Sequence, residues 1–342
     1  MCPSDYFAVV LAGGHDTRFW PLSRRALPKQ CLSLDGGPTL LQRTVARTAL
    51  PPERVLVVTG PDMVDAVRAQ LPDVALLVEP SPRNTAAAIA WAALDVERRG
   101  GAGCFVLPSD HVISDEPAFR DALATAARVA QDGALVTLGI RPTRPETGFG
   151  WLETEDGPGP DRAVCRFVEK PPLAEAERLL AGGRHLWNAG MFVWSTGALL
   201  AAVAAHLPGT TAMIAALRGG TPISDVWALS EATSIDYGVL ERAEGLRVVP
   251  VEFGWSDVGS WPALAEVLPE GEGGVSVARE VIALRADGNV VHAAGKLVAL
   301  LGVHDLIIVD TPDALLVARR GDAQDVRLLL EEVERRGLGS YA

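Results

Sequence analysis

Residues 9–30 read Val9-Val10-Leu11-Ala12-Gly13-Gly14-His15-Asp16-Thr17-Arg18-Phe19-Trp20-Pro21-Leu22-Ser23-Arg24-Arg25-Ala26-Leu27-Pro28-Lys29-Gln30. A short apolar run opens into a glycine turn and then into cations. That order is expected of a strand ending in a loop whose free backbone N–H groups come close to an anion. Between Thr17 and Leu34 stand Arg18, Arg24, Arg25 and Lys29 and no acidic residue, although the whole chain carries a formal charge of −12. The local positive field reads as a phosphate-handling loop. Lysine use sharpens this, because only Lys29, Lys170 and Lys296 stand among the 31 basic residues, and Lys29 and Lys170 lie in Pro-Lys-Gln and Glu-Lys-Pro contexts. A lysine kept where arginine has taken nearly every other basic position points to a need for a compact ammonium.

Outward from this loop, apolar β-rich runs at 7–11, 55–59, 75–78, 104–107 and 135–139 alternate with helical patterns near 40–49, 63–70, 85–97 and 119–130. Such alternation predicts an α/β fold with a mostly parallel sheet and helices on both faces, and ligands bind at the carboxyl ends of its strands. Gly13-Gly14 and Pro108-Ser109-Asp110-His111 occupy such positions. From 148 to 261 longer irregular stretches are expected, among them a surface turn at 153–160 with its Gly-Pro-Gly-Pro. Beyond 264 the texture changes to short runs at 281–284, 290–292, 297–301, 306–309 and 314–318, then a helix at 323–336. They predict a small β-rich domain, a stacked sheet or short β-helix. The expected division is a large α/β domain at 1–264 and a small C-terminal β-rich domain at 265–342.

Composition narrows the class. With 342 residues, 48% hydrophobic and 22% charged, the chain reads as an ordinary globular protein with one large domain and a smaller one. No apolar run approaches the roughly 20 residues that cross a bilayer, and no secretory pattern opens the chain, so a cytoplasmic location is expected. Cys2, Cys31, Cys104 and Cys165 are scattered without a Cys-x-x-Cys pair, which indicates neither a disulfide framework nor a zinc site. A pI near 5.0 argues against nucleic acid or a membrane as the main partner, both being anionic. Of the six histidines, His15 and His111 fall in candidate loops, and neither is assigned a catalytic role.

The candidate chemistry follows from residue types. Gly13, Gly14 and Arg18 are placed to bind the phosphates of a nucleoside triphosphate, with Lys29 reaching the α-phosphate or the leaving pyrophosphate, where cations neutralise charge that builds up at phosphorus. The pattern is neither a Walker A loop nor a Gly-x-Gly-x-x-Gly dinucleotide fingerprint. Asp110 and Asp257 each sit in a glycine- or proline-shaped turn; brought together they could hold one Mg²⁺, and taken singly each suits a turn or a cap. In Glu79-Pro80-Ser81-Pro82-Arg83-Asn84-Thr85, Asn84 or Thr85 suits a helix N-cap. Glu79 could accept the N1–H and exocyclic amine of guanine or simply lie at the surface. Glu169, Lys170, Asn188 and the glycines around Gly148 supply carboxylate, ammonium, amide and bare backbone, suitable for gripping a sugar phosphate.

These segments, together with Ser234-Ile235-Asp236-Tyr237, Gly254–Trp261 and the tail's Asp310-Thr311-Pro312-Asp313-Ala314, resemble the bacterial mannose-1-phosphate guanylyltransferases, the GDP-mannose pyrophosphorylases of the sugar-phosphate nucleotidyltransferases. The resemblance covers essentially the whole chain. It implies a Rossmann-like domain with a small C-terminal β-helical one, GTP and mannose 1-phosphate as substrates, and Mg²⁺ as cofactor. By the same resemblance Arg18 and Lys29 act on the triphosphate, and Asp110 and Asp257 bind the metal. Glu169 and Asn188 contact the mannose, Lys170 meets its phosphate, and Gly148 lies beside them. The nucleotide-binding set is Ala12, Gly13, Gly14, Thr17, Glu79, Arg83, Asn84 and Ser109.

One departure matters. The family usually carries a small residue and then glycine where this chain has His15-Asp16. Asp tolerates left-handed backbone angles, so the turn can persist, yet a carboxylate beside a triphosphate is an odd choice; Asp16→Gly is expected to raise guanylyltransferase turnover. Alternatives are a hexose-1-phosphate nucleotidyltransferase of other base or sugar choice, and a catalytically weak regulatory homologue that binds a sugar nucleotide. No second isomerase domain is expected, and the edges of the β-rich tail point to a homodimer.

Overall fold

The strands at 6–11 and 55–59 are buried along nearly their whole length, as near-continuous apolar runs are when both faces of a sheet are covered. The computed structural model describes residues 3–14, 17–25, 27–155, 157, 159–268 and 270–341; His15 and Asp16 of the glycine loop lie outside them, as do positions 156 and 158 of the expected surface turn. Its contacts divide the chain into two units, one of residues 1–13, 44–109 and 115–255 and one of 14–43, 110–114 and 256–342.

The first unit carries a nine-stranded sheet among the described residues, in the order 75–78, 55–59, 6–11, 103–108, 185–195, 136–140, 247–251, 162–169 and 150–154. The strand Tyr6–Leu11 runs parallel to Val55–Thr59 and to Gly103–Pro108, with Leu11 opposite Pro108 in register. Both strands therefore end side by side, and Ala12-Gly13 and Ser109 leave the sheet at the same carboxyl edge, where ligand sites of α/β sheets form. The strand His185–Ser195 lies antiparallel between Gly103–Pro108 and Val136–Ile140, and Arg162–Glu169 and Gly150–Thr154 continue antiparallel.

Helix Thr85–Arg98 begins where Asn84, at φ 62°, accepts the Thr85 N–H at 3.0 Å. That side-chain bond satisfies one of the orphan donors of the first turn. Its alanines are almost all buried; small side chains let it lie close to the strands beneath it and to helices Thr196–His206 and Pro208–Arg218. Those two helices and Leu173–Gly182 fill much of the stretch expected to be irregular. Thr196–His206 is apolar nearly all round, so no polar face marks it in the sequence.

In the second unit the strands Gly274–Leu284, Asn289–Leu301 and Leu306–Asp310 stack in parallel, with Val275 beside Val290 and Val290 beside Ile307, and Leu315–Arg319 closes antiparallel. The runs expected separately at 290–292 and 297–301 are one strand, which passes through Gly295 at φ +82°. Asn289 is 1% exposed and holds successive turns together: its amide donates to the Gly273 and Val303 carbonyls at 3.1 and 3.2 Å and its oxygen accepts the Leu306 N–H at 3.0 Å. The expected final helix starts late, after a 3₁₀ stretch Arg320–Asp325, and runs Val326–Arg335. Phe19, Leu32 and Leu40 share this unit's core with Trp261, Val290, Ile307 and Leu316.

Candidate active site

Lys29 opens a 3₁₀ turn after Pro28 and is 1% exposed. Its ammonium donates to the Asp110 carboxylate at 2.8 Å and to the Asp257 carbonyl at 2.7 Å, and stands 5.6 Å from the Phe19 ring centre. A buried ammonium is tolerated only when paired and hydrogen-bonded, and three chain segments converge to do this. The Gln30 amide holds the glycine turn by donating to the Gly14 carbonyl at 3.1 Å. Neither Gly13 nor Gly14 has a positive φ, and among the described residues a Cβ on either would meet nothing within 4 Å. Packing does not require these glycines; they leave backbone open to approach.

Asp257 precedes Val258, a buried β-branched residue at φ 44°, a conformation that costs free energy and persists only where the surroundings enforce it. At the next residue, Gly259, a Cβ would stand 2.6 Å from Asp257 Oδ2 and 3.2 Å from an Arg18 guanidinium nitrogen, so a side chain there would have to displace these charged groups. Arg18 and Asp257 thus approach one another beside Gly259. Burial pushes the Asp110 carboxyl upward, but the Lys29 and His111 charges outweigh it and hold the group below its usual range. For Asp257 burial wins over Lys29 and Arg18, the neighbouring Asp110 adds to it, and the carboxyl is raised.

Arg24 and Arg25 do otherwise. Arg24 pairs with Asp313 at 2.9 Å and Arg25 with Glu334 at 2.5 Å, and the Trp20 indole donates to the Tyr341 carbonyl at 2.7 Å. Half of the loop's positive charge therefore fastens the loop within its own unit, and Arg18 and Lys29 remain at the carboxylates.

No group of three or more His, Cys, Asp or Glu placed to hold a metal occurs among the described residues. Asp110 and Asp257, close enough to perturb one another, still fit a divalent ion of the kind that takes one or two carboxylates and fills its shell with water and phosphate oxygens.

A second polar cluster belongs to the first unit. Glu169 ends the strand Arg162–Glu169 and pairs with Lys170 at 3.3 Å, the lysine side chain being 58% exposed and at φ 47°. Burial raises the Glu169 carboxyl against the pull of Lys170, and Glu241 adds to the rise. Asn188 lies on the strand His185–Ser195, where its oxygen accepts the Thr137 hydroxyl at 2.7 Å and the Gly190 N–H at 3.2 Å. Its nitrogen donates to Asp236 Oδ1 at 2.9 Å. Gly150 faces this cluster, since a Cβ there would stand 2.6 Å from Glu169 Oε2. Gly148 is exposed and its N–H is engaged by Glu146 at 2.9 Å. Thr137, Asp236 and Glu241 had no assigned role in the sequence; the Ser-Ile-Asp-Tyr motif was the one signal that pointed at any of them.

The remaining nucleotide-binding candidates are placed as follows. Glu79 is half-buried, and burial alone lifts its carboxyl to about 7. Arg83 donates to the Ser230 carbonyl at 2.6 Å, and Asn84 caps its helix. The Ala12 N–H bonds the Val58 carbonyl at 2.8 Å, and the Ser109 N–H bonds the Leu11 carbonyl at 3.1 Å. Thr17 is exposed, its carbonyl accepting the Trp20 N–H at 3.1 Å.

Comparison with known proteins places this geometry. The Nucleotidyl transferase family matches residues 7–272, and the MannoseP isomerase/GMP-like beta-helix domain matches residues 279–333. The xanthan biosynthesis protein XanB of Xanthomonas campestris pv. campestris is 40% identical over 349 residues, covering 98% of this chain and 74% of that protein. The mannose-1-phosphate guanylyltransferase ManC of Salmonella typhimurium is 39% identical over 360 residues, covering 98% and 75%. A crystal structure from Thermus thermophilus, described as a mannose-1-phosphate geranyltransferase, superposes with a TM-score of 0.92 at 37% identity, covering 96% of this chain and 99% of that one. The chain belongs to the nucleotidyl transferase family, among the mannose-1-phosphate guanylyltransferases, with a Rossmann-like α/β domain followed by a β-helical one.

Proposed function

We propose that this protein makes GDP-mannose and pyrophosphate from GTP and mannose 1-phosphate in the cytoplasm. A phosphate oxygen of the sugar phosphate forms a bond to the α-phosphorus of GTP as the bond from that phosphorus to the pyrophosphate oxygen breaks. No covalent enzyme intermediate is needed, so catalysis is positioning and charge neutralisation. Lys29 carries this reading: a buried ammonium, held by an acidic carboxylate and a backbone carbonyl, is oriented before substrate arrives and needs no reorganisation as charge develops. Arg18 adds a second cation. Asp110 and Asp257 would hold Mg²⁺, which when bound offsets phosphate charge.

Gly13 and Gly14 leave room for the triphosphate, with Ala12, Thr17 and Ser109 lining the same loops. Ionised Glu79 accepts the guanine N1–H and amine, and Arg83 and Asn84 shape the loop that holds it. Glu169, Asn188 and Gly148 receive the mannose, and Lys170 its phosphate. Residues 1–264 do the chemistry and 265–342 form the supporting β-rich domain. The test is pyrophosphate release that requires GTP, mannose 1-phosphate and Mg²⁺ together, repeated with ATP, dTTP and UTP. Equal rates with any of the other nucleotides overturn the base assignment. Tight GTP binding without turnover overturns the enzymatic one.

A further inference from the structure

Asp236 stands in the first unit at the start of a π-helical turn, Asp236–Leu240, closed by the Glu241 N–H donating to the Asp236 carbonyl at 2.9 Å. Such turns are rare and recur at functional sites. The preceding residues are pinned to helix Thr85–Arg98: the Ile235 N–H donates to the Thr85 hydroxyl at 2.9 Å and the Ala86 N–H to the Thr233 carbonyl at 3.1 Å. Asp236 is thus set by the fold and is not a loose surface acid.

Its position next to Asn188 has a geometric consequence. The Gly190 N–H can only donate, which assigns the Asn188 oxygen to that side. Asp236 can accept on the other, which assigns the amide nitrogen. A primary amide nitrogen has two hydrogens, and Asp236 takes one. We propose that Asp236 is a positioning residue of the sugar-phosphate site, holding the Asn188 amide so that its second N–H is presented to a hydroxyl of the sugar; this rests on the sugar-site reading given above.

A carboxylate here is an expensive way to supply a plain acceptor. Asp236 lies against Glu169, and burial together with that neighbour lifts its carboxyl to about 7. The surrounding charged groups are Glu169 and Lys170 at the end of strand Arg162–Glu169, with Glu241 beyond the turn. Strand His185–Ser195 brings uncharged Asn188, helix Thr85–Arg98 brings uncharged Thr85, and helix Thr196–His206 carries His206 as its one titratable residue. Near neutrality Asp236 exchanges a proton, and when ionised it sets a second negative charge beside Glu169, where an anionic sugar phosphate is to bind.

Steady-state kinetics over about pH 6 to about pH 8.5 test this with wild type, D236N, D236A, N188A and the double variant D236A/N188A. D236A is expected to raise KM for mannose 1-phosphate about tenfold, with KM for GTP changed less than about twofold. On the N188A background D236A adds little, because the amide it orients is gone. Wild-type KM for the sugar phosphate rises about threefold or more as pH passes about 7, and D236N, which keeps an acceptor but cannot ionise, flattens that rise. Thr85→Val, which loosens the anchor, gives a milder form of the D236A effect.

Additive losses in D236A and N188A, or a D236N profile matching wild type, overturn the proposal. Should N188A itself leave KM for mannose 1-phosphate unchanged, the sugar-site reading fails first. If D236A does not fold, D236N and Thr85→Val decide the matter.

Discussion

Asp110 and Asp236 are both half-buried aspartates in loops or turns, yet their carboxyl groups are shifted in opposite directions. Each cluster pairs a lysine with a carboxylate at hydrogen-bond or near hydrogen-bond distance, Lys29 with Asp110 at 2.8 Å and Lys170 with Glu169 at 3.3 Å. The difference lies in the solvent around the cation. The Lys29 side chain is 2% exposed and that of Lys170 is 58% exposed, so water screens the second ammonium and leaves the first at nearly full strength. The buried cation keeps Asp110 ionised whenever substrate arrives. Around Glu169 and Asp236 the exposed cation loses to burial and neighbouring carboxylates, and both acids are raised, Asp236 to about 7. The Lys29–Asp110 pair is built to hold charge steady and Asp236 to respond to pH.

The largest effect expected from breaking this contrast is at Lys29. Lys29→Met should lower kcat for pyrophosphate release by about 10²–10³-fold, the scale for losing one preorganised group that stabilises developing charge. Lys29→Arg should recover little, since a planar guanidinium does not fit the pocket that seats an ammonium. Retention of more than about half the activity in Lys29→Met would remove Lys29 from the mechanism.

Asp110→Asn and Asp257→Asn should each cost about 10²-fold and raise the Mg²⁺ concentration needed for half-maximal rate about tenfold or more. Chelation with EDTA should abolish turnover and added Mg²⁺ restore it. A metal requirement unchanged in both variants would separate these aspartates from the ion.

Glu79 sharpens the contrast from the nucleotide side, with a smaller effect. Glu79→Gln should raise KM for GTP about tenfold at about pH 8 and much less at about pH 6, where the native carboxyl is itself protonated. Stability moves the other way. A carboxyl lifted from its ordinary 4.5 to about 7 binds a proton that the unfolded chain has released, so its contribution is present at low pH and is lost as pH rises between those values. Glu79→Gln should therefore melt about 2 °C or more above wild type at about pH 8 and alongside it at about pH 4. Equal shifts at both pH values would show that the gain is unrelated to ionisation.

The smallest effects belong to the two arginines of the loop that face its own unit. Arg24→Ala should cost about 1 kcal/mol, because its guanidinium joins the Asp313 carboxylate and the Pro21 and Tyr341 carbonyls. Arg25→Ala removes an exposed ion pair and should cost under about 0.5 kcal/mol. Both should keep near-wild-type kcat, measured beside chemical denaturation curves; a large fall in kcat would return Arg24 or Arg25 to the phosphate-binding set.

The strands and helices of the first 140 residues were legible because each leaves a local signal, the strands as short apolar runs and the helices as longer patterns between them: 55–59 and 75–78 match the strands residue for residue. The insertion of His185–Ser195 between Gly103–Pro108 and Val136–Ile140 was not, since strand pairing across such separations leaves no local period. In the loop at 17–34 the run of basic residues was plain, but its division was not. Arg24 and Arg25 differ from Arg18 and Lys29 only in what the tail and the 257 turn bring to them.

The sequence by itself determined the family, the strand-to-glycine-turn order, and the residue types able to handle phosphate and sugar, because these rest on local chemistry and spacing. Only the tertiary structure decided which groups meet: that Lys29 is sealed between Asp110 and Asp257, that Gly259 lies beside Asp257 and Arg18, and that Asp236 faces Asn188. Burial and the distance between charges set how a carboxyl titrates, and neither quantity exists until distant segments have packed together.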